Sequence, residues 1–68
     1  MSKKRIHSTK STIEANGIQH RLLENNINAM VIDKMDSAYG SAIGEIEIFV
    51  NQEEVEIARD LIKIYFQD

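Results

Sequence analysis

The 68-residue chain has no cysteine, no proline and only three glycines. Without cysteine there is no disulfide, no thiol chemistry and no zinc ribbon or finger of the usual kind. That absence fits a reducing cytoplasm. No apolar run approaches the roughly 20 residues of a membrane-spanning helix, and no repeat recurs at solenoid spacing. Positive charge is also short. Eight Lys and Arg stand against eleven Asp and Glu, a net charge of -3, so no overall field draws the chain to nucleic acid or to an anionic membrane. The basic start, Met1-Ser2-Lys3-Lys4-Arg5, leads into no apolar signal core. It reads as a solvated tail over residues 1–4, followed by a single domain over 5–68. A domain this small buries only about 60% of its unfolded surface. Such domains gain from disulfides, metals or self-association, and the first of these is excluded here.

What is present is a clear order of elements. Residues 5–9, "RIHST", fit a first strand with Ile6 and Ser8 on one face and His7 and Thr9 on the other. Ser11-Thr12-Ile13-Glu14 is a capping-box pattern, in which Ser11 caps the helix and Glu14 reaches back to the Ser11 amide. The helix it starts is predicted over 12–25. Ala15, Ile18, Leu22 and Leu23 form its core face, and Asn25-Asn26 ends it in a left-handed turn. Residues 27–33, "INAMVID", read as a second strand with Met30 and Ile32 on one face and Ala29, Val31 and Asp33 on the other. In 45–50, "EIEIFV", Ile46, Ile48 and Val50 alternate with Glu45, Glu47 and Phe49, the pattern of a half-buried strand. Asn51 then caps a second helix that runs to about Phe66, with acidic residues suiting its first turn.

The order β-α-β-β-α has a consequence for topology. A right-handed crossover makes the first two strands parallel, and the strongest strand, the third, belongs between them. The expected fold is α+β: a ferredoxin-like two-layer sandwich with a three-stranded sheet in the order 1-3-2, both helices on one face, and no last strand.

At this point "STIEANGIQHRLLENNINAMVIDK" and "GEIEIFVNQEEVEIARDLI" resemble the small prokaryotic signal-transducing family DUF2007. The likeness spans about residues 5–66. It rests on the helix running into "LLENNI" and on a glycine before a strand that ends in a helix start. The family is similar to the αβ unit of nitrogen-regulatory PII proteins. The resemblance therefore implies a regulatory or interaction module of ferredoxin-like fold, and it supplies no catalytic residue. The loop "MDSAYGSAIG" is long and Gly-rich beside the family's shorter loops.

The residues themselves suggest no enzyme. His20 and Glu24 form an i, i+4 pair, but a metal site needs further ligands that spacing does not supply, so no metal or cofactor is expected. Asp33 and Asp36 beside Lys34 read as solvated carboxylates. Gly40 and Gly44 lack the Lys-Ser/Thr ending of a phosphate loop and precede a strand rather than a helix; Gly44 reads as turn geometry. The expected outer sheet face carries Arg5, His7, Thr9, Ala29, Val31, Asp33, Glu45, Glu47 and Phe49. One aromatic among three carboxylates disfavours nucleic acid.

Partner binding fits better. In the second helix, two apolar stripes merge into an arc wider than a core stripe needs, with Ile57 and Ile64 at its edge. Either they pack on the first helix, or with Val31 and Phe49 they form a surface for self-association as a dimer or trimer, or for another protein. Gly17 costs about 1 kcal/mol in mid-helix relative to Ala. It reads as drift in a tolerant helix or, alternatively, as close approach of a second chain. The 35–44 loop, with Asp36, Ser37, Tyr39 and Gly40, is the candidate recognition element. It suits a protein partner or, as the alternative function, a small-molecule effector in a metabolite sensor.

Overall fold

The computed structural model describes residues 2–34 and 44–67. The elements are β1 (Lys3–Thr9), α1 (Thr12–Glu24), β2 (Met30–Asp33), β3 (Ile46–Asn51) and α2 (Val55–Tyr65), with a single 3-10 turn at Gln52–Glu54 before α2. The sheet order is β1-β3-β2, and β3 pairs antiparallel with both neighbours. This is the expected α+β, ferredoxin-like arrangement. Alternation along β3 sets the layers. Ile46, Ile48 and Val50 are buried with Ala15, Ile18, Leu22, Ile27 and Ala58. Glu47 and Phe49 occupy the opposite, open face, as the period of two requires.

Both ends of α1 are built by local chemistry. The Ser11 hydroxyl accepts from the Glu14 amide at 3.1 Å, as a cap should. The return half of the capping box does not form. Thr9 Oγ1 accepts the Ser11 amide at 3.1 Å instead, which leaves the Glu14 carboxylate for His7. At the other end Asn26 is left-handed, φ 64. The Asn26 amide donates to the Leu23 carbonyl and the Ile27 amide to the Leu22 carbonyl, each at 2.9 Å. These are the two bonds of a Schellman motif. They turn the chain so that Ile27 and Leu22 both enter the core.

The element boundaries differ from the expected ones in three places. β1 starts at Lys3, because Lys3 and Lys4 pair with Asn51 and Val50. β2 starts only at Met30; Asn26 and Ile27 complete the helix-ending turn, and Asn28 and Ala29 lead from it into the strand. Asn51 is still the last residue of β3 and makes no side-chain cap, so a 3-10 turn rather than α-helix follows directly.

Strand phase is corrected as well. The β1–β3 register slips between Arg5 and His7, a bulge that leaves Ile6 as an extra residue. Ile6 packs on the core, and His7 turns to the helices as well, reaching Glu14. In β2, Val31 stands opposite Ile48 and packs on the core with Ala29. Val31 is therefore not part of an outer self-association surface. In β2 the residues expected to share a face do so, but Ala29 and Val31 take the helix side and Met30 and Ile32 the open side.

Gly17 also receives a physical reason. A Cβ there would run into the Tyr65 hydroxyl and ring, so the glycine admits a side chain of α2 from the same molecule. Neither drift nor a second chain is needed. We predict that Gly17→Ala fails to realise its helix-propensity gain in the native background, because the methyl displaces Tyr65. In a Tyr65→Ala background the same change should stabilise by about 1 kcal/mol. Urea unfolding of the double-mutant cycle measures the difference; equal effects in both backgrounds would refute the steric account.

Candidate functional site

The face of the sheet turned away from the helices is the first candidate. Two rows cross it, set by register: Arg5–Phe49–Met30, and Ser8–Glu47–Ile32. Phe49 and Ile32 are half-buried, and Met30 is 41% exposed. Glu47 lies at the centre. Arg5 Nη1 approaches Oε2 at 2.9 Å and Lys34 Nζ approaches Oε1 at 3.0 Å, so the side chain is only 13% exposed. Lys34, then Arg5, hold this carboxyl below its ordinary value against the opposing effect of burial. The arrangement joins both edge strands to the central one through charge. It also leaves an apolar strip beside a neutralised acid.

Where the strands leave this face, the Lys34 amide donates to the Glu45 carbonyl at 3.0 Å. A Cβ on Gly44 would collide with the Lys34 carbonyl. Gly44 is therefore needed for close backbone approach at the base of the β2–β3 connection. The loop residues Asp36, Ser37, Tyr39 and Gly40 lie outside the described residues.

A second cluster binds the layers together. The Glu14 carboxylate stands 2.9 Å from His7 Nε2; an ionised carboxylate only accepts, so the imidazole N–H donates. The hydrogen bond from His7, then that from Thr9, lowers the Glu14 pKa. The Phe66 ring lies 5.6 Å from His7 and stacks edge-on to Tyr65 at 5.2 Å, and Arg21 approaches the Tyr65 ring face at 6.0 Å. β1, α1 and the end of α2 are thereby tied together. His7 and Thr9 belong to this cluster and not to the open face. His20 and Glu24 approach to 3.3 Å on an exposed part of α1. Among the described residues no group of three or more metal-ligating side chains comes together, and no described helix is long and apolar enough to cross a membrane.

Two clefts flank the sheet edges. One, of about 300 Å³, lies between α1 and the start of β2 and is lined by Asn16, Gln19, Leu23, Asn28 and Ala29 among others. The other, of about 420 Å³, lies between β1 and α2. On α2 itself, Ile57 and Ile64 are 59% and 49% exposed, so Ile57 is not consumed by packing on α1. Phe66 is 51% exposed; its place in the sequence marks it only as a helix end, yet it closes the His7 cluster.

Residues 3–65 match the model of DUF2007, described as "Putative prokaryotic signal transducing protein". The chain belongs to this family. No curated protein and no solved structure matches it. The match covers every described strand and helix of this DUF2007 chain.

The sign of the pH dependence follows from Glu14 and Glu47. Both have native values below the ordinary 4.5. Their contribution to stability is therefore complete above pH 4.5 and is lost as pH falls through the lowered native values. We expect the melting temperature to fall on acidification below that point. Glu47→Gln should be less stable at neutral pH and less sensitive to acid than the parent. Parallel pH profiles for the two would exclude Glu47 as a contributor.

Proposed function

We propose that this chain is a non-catalytic, cytoplasmic signalling module that acts by binding protein, including a second copy of itself. The observation that supports this most is the sheet face left uncovered by the described residues, where Phe49, Met30 and Ile32 surround an acid already neutralised by Arg5 and Lys34. A carboxylate with its partners in place brings little unpaired charge into an interface, and the apolar neighbours supply the favourable burial. The small core is a second support. Among the described residues eight are buried while six large apolar side chains are exposed, and covering part of that surface would stabilise a domain of this size. The family description supports the signalling class.

Light scattering on the native chain, from micromolar to millimolar, tests the reading. The expected result is a dimer or trimer that Phe49→Arg returns to monomer with an unchanged circular dichroism spectrum. A monomer throughout the range, or an oligomer indifferent to Phe49→Arg, would overturn self-association through this face.

A further inference from the structure

The edge of β1 away from β3 has no strand beside it among the described residues, so one side of its backbone is open to hydrogen bonding. In a complete β-α-β-β-α-β sandwich the fourth strand occupies that edge. Here the position opens into the 420 Å³ cleft, lined by Lys4 and Arg5 of β1 and by Gln52, Val55, Glu56 and Arg59. Three cations face one carboxylate, on a chain whose net charge is -3. Arg5 is engaged by Glu47, while Lys4 and Arg59 make no ion pair with any described residue. Lys4 pairs with buried Val50 and so lies on the helix side of the sheet, the side from which Arg59 also borders the cleft.

An inward-facing lysine on an edge strand discourages indiscriminate strand pairing. It does so until a partner supplies the opposite charge. A second copy pairing through its own β1 would put two Lys3-Lys4-Arg5 segments on one short ribbon, so like charge disfavours this chain as its own occupant at this edge. We propose that the β1 edge accepts an extended acidic segment of a partner protein as a fourth strand, antiparallel to β1, with carboxylates at Lys4 and Arg59 and an apolar side chain against Val55. In such strand addition the backbone bonds supply affinity, and alternate side chains supply selectivity. The inference deepens the protein-binding reading and uses a different surface from the Phe49 face.

Selection of random peptides of about eight residues on the intact chain tests it, with one hit synthesised for fluorescence anisotropy. The selected sequences should alternate Asp or Glu with apolar residues. Affinity should fall with added salt and drop about tenfold in a Lys4→Gln/Arg59→Gln variant, and β1 amides should gain protection from hydrogen exchange. Both positions carry exposed charges, so the variant should fold, and its dichroism spectrum checks this. No enrichment over a blank surface, enrichment without acidic residues, unchanged affinity in the variant, or protection at β2 instead of β1 would each overturn the proposal. So would a native dimer that dissociates in this variant, which would give the edge to a second copy. Self-association through Phe49 is read from mass and should survive the Lys4/Arg59 changes, so failure of either reading is seen separately.

Discussion

Every other feature of this protein depends on β3 pairing on both sides at once. Its register assigns each residue of β1 and β2 to the core or to the open face. Ile46, Ile48 and Val50 then form the floor on which both helices sit. Glu47 reinforces the same pairing on the opposite face, where its ion pairs reach the two edge strands. Exposed pairs contribute little to stability, but these converge on one largely covered carboxylate and so link three strands through one residue.

The helices are matched to each other as well as to the sheet. Gly17 on α1 leaves room for Tyr65 on α2, and Arg21 approaches the same ring. Phe66 carries the contact on to His7, and His7 returns it to α1 through Glu14. This ring of contacts holds one end of the helix layer to β1. The core formed by the described residues is small and lies on one side of the sheet. Among those residues nothing packs a second layer against the apolar side chains of the open face and of outer α2, which is why surface chemistry rather than a pocket carries the functional reading.

The two edges of the sheet differ in character. β1 is bulged and basic, whereas β2 is four residues long and largely apolar. A cation that faces inward on an edge strand makes pairing conditional on charge, while a short apolar edge offers few backbone groups in any case. In the proposed strand addition, selectivity for the partner would therefore belong to β1.

Local chemistry in the sequence determined the element types, the Ser11 cap, the Asn25-Asn26 stop and the alternation of β3. Each depends on neighbours a few residues apart, so each was legible. The strand order was legible for another reason: the most regular strand belongs in the centre, between two strands that a right-handed crossover makes parallel. Which face of β1 and β2 is buried was not legible. A period of two says which residues share a face, but inter-strand register chooses the face, and a bulge at Ile6 shifts the phase with no mark in composition. That is why Val31 moved into the core and His7 to the helix side, while Phe49, on the central strand, stayed outside as read. The purpose of Gly17 and Gly44, the diversion of Glu14 from Ser11 to His7, and the basic cleft at Lys4 and Arg59 were likewise decided only by the tertiary structure. Each is a meeting of groups far apart in sequence, and packing alone brings them together.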